Sequence, residues 1–230
     1  KPADSGSKDG LRGKTITSTP LADPHWGYEG KMGPNHWHKL KPEWSLARTG
    51  ERQSPINITT GDTVNGMAVK PPLPVQLFYK ASTIKVTNNG HTIQANLSEK
   101  DKNTITLGGK LSPDGSWRGG ERYELIQFHF HHRSEHKIDN KDYPMELHLV
   151  HAQVANPAKL AVIGVMIKEG AENPDIKKFW EHLPKAAADH GGSGHAGEST
   201  HGHSLDPLKL IPVESNYFQY EGSLTTPPCT

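Results

Sequence analysis

The amino-acid sequence predicts a mainly β domain with a minor helical part, and three observations lead to that prediction. The chain has 230 residues, of which 23 are glycine and 18 are proline, a frequency typical of chains with many turns and irregular connections. Several segments alternate apolar with polar residues, as strands with one buried face do. Only one segment has both the apolar spacing and the end signals of a helix. We therefore expect one α+β domain in which strands predominate.

The alternating and apolar segments predict where the strands lie. Apolar residues alternate with polar ones on both sides of an Asn-Asn-Gly turn, at Ile84, Val86, Ile93, Ala95 and Leu97. Further strands are predicted within residues 104–111, 123–132, 145–154 and 160–170. The last of these is almost continuously apolar, which is typical of a central strand buried on both faces.

One helix is predicted after the last of these strands. Asn173 can cap its N-terminus, Pro174 fits its first turn, and Pro184 ends it. The apolar residues between them recur at helical spacing: Ile176, Phe179, Trp180 and Leu183.

Three segments are predicted to lie outside regular structure. Residues 1–23 are polar and form a flexible N-terminal arm, which leaves 24–230 as the domain. Residues 114–120 form a glycine-rich loop, and residues 186–204 form a second, flexible one. The second loop carries four histidines, which could also capture metal: His190, His195, His201 and His203.

Charge and composition exclude several classes of partner. The chain has 26 basic and 25 acidic residues, for a net charge of +1, and no basic stripe. Nucleic acid and anionic membrane surfaces are therefore not expected as partners. No apolar run approaches the roughly 20 residues that cross a bilayer. The single cysteine, Cys229, excludes an internal disulfide, whereas 15 histidines are an unusual number that needs an explanation.

The segment Gln127–His131 has the pattern of a strand with one polar face. Successive side chains of a strand point to opposite faces, so Gln127, His129 and His131 share one face. Phe128 and Phe130 share the other face and fit a core. Three polar side chains in register on the opposite face indicate a specific use, although solvated or hydrogen-bonded histidines would give the same pattern.

A second strand offers a third histidine in the same way. Alternation places Glu146, His148 and Val150 on one face. If the two strands are neighbours, His148 converges with the two histidines of the first strand. Three neutral imidazoles with a fourth position left open form a catalytic zinc arrangement. Gln127 and Glu146 each stand two residues before a histidine, in register to accept the second ring N–H of a metal ligand.

At these motifs the chain resembles the α-class carbonic anhydrases, in particular their bacterial branch, from about Pro24 to its end. The matching segments are HWGY (25–28), GPNHWH (33–38), QSPINI (53–58), NNGH (88–91), QFHFH (127–131), SEH (134–136), ELHLVH (146–151), LAVIG (160–164) and SLTTPPC (223–229). The resemblance implies a single domain around a large twisted, mostly antiparallel central sheet with a few short helices.

The resemblance also implies an activity and a cofactor. The reaction is the reversible hydration of carbon dioxide to bicarbonate and a proton, by attack of zinc-bound hydroxide on CO2. Zinc is the implied cofactor, and sulfonamides or anions are the implied inhibitors at the zinc. The implied zinc ligands are His129, His131 and His148.

Further roles follow from the resemblance residue by residue. Thr225 would accept the proton of the hydroxide in a hydrogen bond and donate its own to Glu135, and His91 would be the proton shuttle. The implied CO2 pocket is formed by Val150, Val162 and Leu224, beside Thr225 and Thr226. The residues implied to order the cavity water are Tyr28, Asn89 and Gln94.

Two departures from the family pattern affect these expectations. Many bacterial and extracellular relatives pair the cysteine of the PPC motif in a disulfide, but Ala47 stands here where the partner would fall. Cys229 is therefore expected to be free or paired between chains, which leaves a homodimer open. The family also continues beyond the position of Thr230, so we expect the domain in 24–230 to lack its C-terminal portion.

Two other functions remain open from the sequence. One is a catalytically impaired carbonic anhydrase-like zinc-binding protein, and the other is a zinc-binding protein built around the histidine-rich loop. Resemblance to processed bacterial members favours a periplasmic or secreted location after removal of a signal peptide, and a cytoplasmic location stays open.

Overall fold

The computed structural model describes residues 25–61, 73–184, 202–212 and 216–230, and the backbone of strands at Thr63–Val64, Met67–Ala68 and Ser199–Leu205. The predicted arm at 1–23 lies outside the described residues, as do His190 and His195. Within the described residues, no helix has the length and apolar character needed to cross a membrane.

Strands make up most of the regular structure in this part of the chain. In chain order they are β1 (Asn57–Ile58), β2 (Thr63–Val64), β3 (Met67–Ala68), β4 (Val75–Phe78), β5 (Ser82–Asn88), β6 (Ile93–Leu97), β7 (Thr104–Leu107), β8 (Lys110–Leu111), β9 (Trp117–Arg118), β10 (Glu121–His132), β11 (Lys137–Ile138), β12 (Met145–Gln153), β13 (Leu160–Ile167) and β14 (Ser199–Leu205).

The helices are short. The α-helices of the described residues are α1 (Trp37–Leu40), α2 (Leu46–Thr49) and α3 (Pro174–Glu181), and the 3₁₀ turns are Gly30–Met32, Pro34–His36, Pro42–Trp44, Glu99–Asp101 and Pro207–Leu210. The predicted helix is confirmed as α3, because the Asn173 side chain accepts hydrogen bonds from the backbone N–H groups of Asp175 and Ile176. The helix ends at Glu181, shortly before the predicted end at Pro184.

Eight strands form one large antiparallel sheet, as the sequence predicted. The order is β13-β12-β10-β6-β5-β14, and β7 also pairs with β10 and with β4. Strand β10 is the central element, since β12 pairs along one side while β6 and β7 share the other. The predicted hairpin is confirmed, with Ile84 opposite Leu97 and Val86 opposite Ala95.

The hydrophobic core covers one face of this sheet. Phe128 and Phe130 of β10 are buried there, and Phe130 lies 5.2 Å from Phe179 and 4.9 Å from Trp180 of α3, measured between ring centroids. Because side chains alternate along β10, packing α3 against the two phenylalanines directs the histidines of the same strand to the opposite face.

The prediction that 160–170 is a central strand buried on both faces is wrong. Strand β13 pairs with β12 at one end of the sheet formed by the described residues, and Leu160 and Val162 are 40% and 46% exposed. Ile163, Val165 and Ile167 pack against the core. The strand is apolar on both faces, but only one face meets the core, and a continuous apolar run does not reveal this difference.

The two predicted glycine-rich loops also need correction. Part of 186–204 is strand β14, which pairs with β5 and contains a bulge at Gly202, whose φ is +88°. Part of 114–120 is strand β9, which pairs with β8. Both strands are defined by backbone hydrogen bonds to a neighbouring strand, and their side chains are mostly polar. They were missed because a sequence pattern detects strands only through alternating apolar residues.

Candidate active site

Three histidines converge on the face of the sheet opposite to the core. His129 lies directly opposite His148 in the pairing of β10 with β12, and His131 lies two residues further along β10. One ring nitrogen from each residue falls within 4.8 Å of those of the other two. The ring centroids are 4.9, 5.3 and 4.7 Å apart. The predicted neighbouring strands therefore bring the three predicted ligands together.

In two of these rings, a hydrogen bond to one nitrogen leaves the other nitrogen available at the centre of the cluster. Gln127 Oε1 lies 2.8 Å from Nδ1 of His129, which leaves Nε2 of that ring available. Glu146 Oε1 lies 2.7 Å from Nε2 of His148, which leaves Nδ1 available. Both acceptors stand where the strand register predicted them, two residues before the histidine that each contacts.

The third ring carries a buried nitrogen without a hydrogen bond. His131 Nε2 is buried and has no hydrogen-bond partner, and it lies 3.4 Å from Oε2 of Glu135. An unpaired buried polar atom costs free energy, so its position beside two other available imidazole nitrogens indicates a site for a ligand.

The electrostatic environment keeps two of the rings neutral. Burial, followed by the neighbouring His148 and His131, lowers the pKa of His129 to about 3. Burial, followed by His148, lowers the pKa of His131 to about 4. Only the neutral imidazole can coordinate a metal ion, and three such nitrogens with room for a fourth ligand match the donor set of catalytic zinc. The residues present therefore fit zinc.

Glu146 is the most tightly held group of the site. Its side chain is fully buried, and Oε1 accepts from Nε2 of His148 and Nδ1 of His136, each at 2.7 Å. Oε2 accepts from the backbone N–H groups of Glu135 and His136 at 2.8 and 2.9 Å. Burial alone would raise the pKa of Glu146, but the hydrogen bonds outweigh it and hold that pKa well below its usual range.

A chain of hydrogen bonds continues from Glu146 to Tyr220 in the last described segment, 216–230. His136 Nδ1 donates to Glu146, so His136 Nε2 accepts from the hydroxyl of Tyr220 at 2.5 Å. The Tyr220 oxygen lies 2.7 Å from Oγ of Ser54. Sequence reasoning missed these three residues. His136 could have been found because it stands in the SEH motif, whereas the contact of Tyr220 spans 84 residues and has no local signal.

Thr225 and Glu135, which the resemblance links by a hydrogen bond, lie close to each other in the structure. Burial raises the pKa of Glu135, and a side-chain hydrogen bond from Thr225 opposes that shift. The two residues come from distant parts of the chain, since Glu135 follows β10 and Thr225 lies in the last described segment. Thr226 and Leu224 are half-buried beside it, in a turn closed by hydrogen bonds from Cys229 N to Thr226 O and from Leu224 N to Thr230 O.

Val150 and Val162 lie opposite each other in the pairing of β12 with β13. Val150 stands two residues after His148 on the same strand face, so both valines border the histidine cluster. Val150 is 6% exposed, whereas Val162 is 46% exposed. The strand register thus places two of the three predicted apolar pocket residues beside the site.

His91 lies at the turn between β5 and β6 and stacks on Trp26. The ring centroids are 3.7 Å apart with an interplanar angle of 8°, and His25 lies 6.1 Å away on a similar plane. Burial, and then the charge of His25, lower the pKa of His91. The side chain is half-buried and is therefore partly accessible to solvent.

Of the predicted water-ordering residues, Asn89 and Gln94 have partners in the protein. Asn89 Oδ1 accepts from the backbone N–H groups of His91 and Thr92, so this amide also shapes the turn. Gln94 lies opposite His129 in the pairing of β6 with β10 and donates to Asn96 Oδ1 at 2.6 Å.

Tyr28 is the third predicted water-ordering residue. Burial, and then the charge of Glu135, raise the pKa of its hydroxyl to about 12. The Tyr28 hydroxyl therefore remains protonated and lies within the electrostatic reach of the Glu135 carboxylate.

Comparison with known proteins agrees with this fold. A model of the eukaryotic-type carbonic anhydrase family matches residues 32–230. A carbonic anhydrase of Pectobacterium atrosepticum is 37% identical over 207 residues, which are 90% of this chain and 72% of that protein.

Solved structures show the same likeness. The α-carbonic anhydrase from Thermovibrio ammonificans, solved in complex with the inhibitor sulfanilamide, aligns with a TM-score of 0.73 at 36% identity and covers 91% of this chain and 80% of its own. A hyperthermostable carbonic anhydrase from an active hydrothermal vent chimney aligns with a TM-score of 0.72 at 38% identity, over 90% of this chain and 79% of its own.

A large antiparallel sheet that carries three convergent histidines on the face opposite its core defines a class of protein with a candidate metal site. The chain belongs to the eukaryotic-type, or α-class, carbonic anhydrase family. The predicted resemblance to that family is thereby confirmed, and hydration of carbon dioxide is the activity that membership supports.

Proposed function

We propose that this chain catalyses the reversible hydration of carbon dioxide to bicarbonate and a proton at a zinc site formed by His129, His131 and His148. The observation that carries the proposal is the unpaired, buried Nε2 of His131 beside two other available imidazole nitrogens. When bound, zinc acidifies water and so makes hydroxide available near neutral pH, an effect for which carbonic anhydrases themselves are the standard example.

The surrounding groups orient the three rings. Gln127 accepts from Nδ1 of His129, and Glu146 accepts from Nε2 of His148, so each ring presents its other nitrogen to the centre. Such acceptors fix the tautomer and the direction of a ligand ring, and they make the ring more basic.

Thr225 and Glu135 orient the attacking oxygen. Because the Thr225 hydroxyl donates its proton to the Glu135 carboxylate, its oxygen can only accept a hydrogen bond from the nucleophile. This polarity directs a lone pair of the nucleophile towards the substrate, which lowers the orientational cost of the attack. Thr226 lies next to this group in the same turn.

The apolar side chains supply a dry place for the substrate. Carbon dioxide is small and uncharged, so a pocket of Val150, Val162 and Leu224 beside the nucleophile can hold it without displacing strong hydrogen bonds. The apolar wall also excludes water from the reacting carbon.

His91 carries the product proton away. A histidine that titrates near neutral pH can accept a proton at one ring nitrogen and release it to buffer. Tyr28, Asn89 and Gln94 supply hydroxyl and amide groups that order water between the site and His91. The stack on Trp26 holds the ring of His91 at a half-buried position, from which it can reach both the water of the site and the solvent.

Stopped-flow measurement of CO2 hydration, combined with zinc analysis, tests the proposal. We expect one tightly bound zinc ion per chain, hydration activity that a chelator removes and added zinc restores, and inhibition by sulfanilamide. The His148→Ala variant should lose both activity and most of the zinc, whereas His38→Ala, which changes a half-buried histidine elsewhere, should lose neither. Tight zinc binding without hydration would overturn the proposal in favour of a catalytically impaired zinc-binding protein.

A further inference from the structure

A glycine faces the zinc site from the neighbouring strand. Gly164 of β13 lies directly opposite His148 of β12. A Cβ atom added at Gly164 would lie 3.0 Å from Oε1 of Glu146, and 3.8 and 4.0 Å from Cδ2 and Nε2 of His148. A contact of 3.0 Å is tighter than nine in ten real Cβ contacts, so the carboxylate would have to shift by a few tenths of an ångström, whereas the contacts with the imidazole are ordinary van der Waals contacts.

The backbone does not require glycine at this position. The φ angle of Gly164 lies outside the left-handed region, so any residue could adopt the conformation. Glycine in a strand interior is unfavourable, because it loses more conformational freedom on folding and has no side chain to pack. The reason for glycine is therefore the space that it leaves.

Glu146 has little freedom to move aside, because hydrogen bonds hold both of its carboxylate oxygens. Glu146 is fully buried and accepts four hydrogen bonds, two at each oxygen. His148 is 4% exposed and is held by one of these bonds. A methyl group at Gly164 would press on the oxygen that holds the His148 ring.

We propose that Gly164 is a positioning residue of the zinc site. Its missing side chain leaves the volume that the Glu146 carboxylate needs in order to direct Nδ1 of His148 to the point where His129 and His131 converge. The inference rests on the proposed function, since it concerns the same zinc ligands. In physical terms, a side chain on β13 would press on Glu146 of β12, and this displacement would reach the metal through the hydrogen bond between Glu146 and His148.

The test compares Gly164→Ala with a matched control, Gly170→Ala. Gly170 follows β13, has open space around its Cβ position and also has a φ outside the left-handed region. Zinc release from the loaded protein to an excess of chelator is measured for each variant, together with the visible absorption of the cobalt-substituted protein. Outer-sphere changes typically weaken metal binding 10- to 100-fold, so we expect Gly164→Ala to release zinc at least about tenfold faster with an altered cobalt spectrum. Gly170→Ala should match the wild type in both.

A double-mutant cycle isolates the carboxylate contact. Glu146→Asp shortens the side chain by one methylene and withdraws its oxygen from the Gly164 Cβ position. In the Glu146→Asp background we therefore expect Gly164→Ala to change zinc release by less than about twofold, since coupled neighbours are not additive. An undiminished effect in that background would overturn the proposal. If Gly164→Ala alone does not fold, recovery of folding in the double variant supports the proposal, and failure to recover overturns it.

The outcomes separate this inference from the proposed function. A wild-type chain that binds no zinc would overturn both. A wild-type chain that binds one zinc and hydrates CO2, with Gly164→Ala releasing zinc at the wild-type rate, would overturn the role of Gly164 alone.

Discussion

Tyr220 donates a hydrogen bond to His136 at 2.5 Å and so joins the last described segment of the chain to the candidate metal site. The direction of this bond follows from Glu146. Its carboxylate accepts a hydrogen bond from Nδ1–H of His136, so Nε2 of the same ring is left as an acceptor. Tyr220 precedes Thr225 by five positions. The same chain of contacts thus holds both His148, a proposed zinc ligand, and the segment that carries Thr225.

We expect Tyr220→Phe to weaken this connection. The substitution removes one hydrogen bond and leaves Nε2 of His136 unpaired, so the free energy of unfolding should fall by about 1 kcal/mol and zinc release should become faster. Denaturant melts and chelator competition measure the two effects. Tyr217→Phe is the control, because the Tyr217 hydroxyl donates to Leu73 O at the surface. Equal behaviour of the two variants would contradict a role for Tyr220 at the metal.

Replacement of His91 should slow proton release and leave the reaction with CO2 nearly intact. His91→Ala is expected to reduce turnover in weak buffer, and added imidazole should restore part of the rate. Because burial and His25 lower the pKa of His91, the proton-transfer limb of the wild-type pH profile should have its midpoint below 6.5. An unchanged rate at every buffer concentration would show that another group carries the proton.

Thr225→Ala should reduce hydration far more than it reduces zinc affinity, because Thr225 orients the nucleophile and is not among the ligands. Glu135→Gln should act in the same direction, since an amide NH2 cannot accept the Thr225 proton as the carboxylate does. Thr225→Ser keeps the hydroxyl and should keep most of the activity. The hydration rate and the zinc content of each variant are measured together. Parallel loss of zinc and activity in Thr225→Ala would contradict a role in orienting the nucleophile alone.

His151 should make the zinc-free protein sensitive to acid. The ring is fully buried between Tyr79 and the carbonyl of Ala161, and burial lowers its pKa to about 4. Unfolded histidine has a pKa of about 6.5, so the unfolded state binds more protons between pH 6.5 and pH 4. The contribution of His151 to stability should therefore be complete above pH 6.5, fall through that window by on the order of 3 kcal/mol, and level off below pH 4.

Chemical denaturation of the zinc-free protein across that pH range tests the contribution of His151. His151→Gln cannot titrate, so the difference between its pH dependence and that of the wild type reports this residue apart from the other buried histidines. Replacement of the exposed His132 by Gln is the control. Identical pH slopes for wild type and His151→Gln would contradict the prediction.

Much of the candidate site could be predicted because it is local in the sequence. The spacing of Gln127, His129 and His131 determines their common face, and the same holds for Glu146 and His148. The helix was predictable for a similar reason, since Asn173 caps the turn that immediately follows it. The burial of β13 could not be predicted, because an apolar run does not indicate whether one or both faces of the strand pack against the core.

The sequence by itself determines which side chains of this protein share a strand face, because alternation along an extended backbone is a property of adjacent residues. It also determines, through the resemblance of its motifs, the family to which the chain belongs. Only the tertiary structure decides that Gly164 lies opposite His148, that Tyr220 reaches His136, and that Thr225 meets Glu135. These contacts depend on strand pairing and chain closure between distant residues, which the packing of the whole sheet selects and no local pattern specifies.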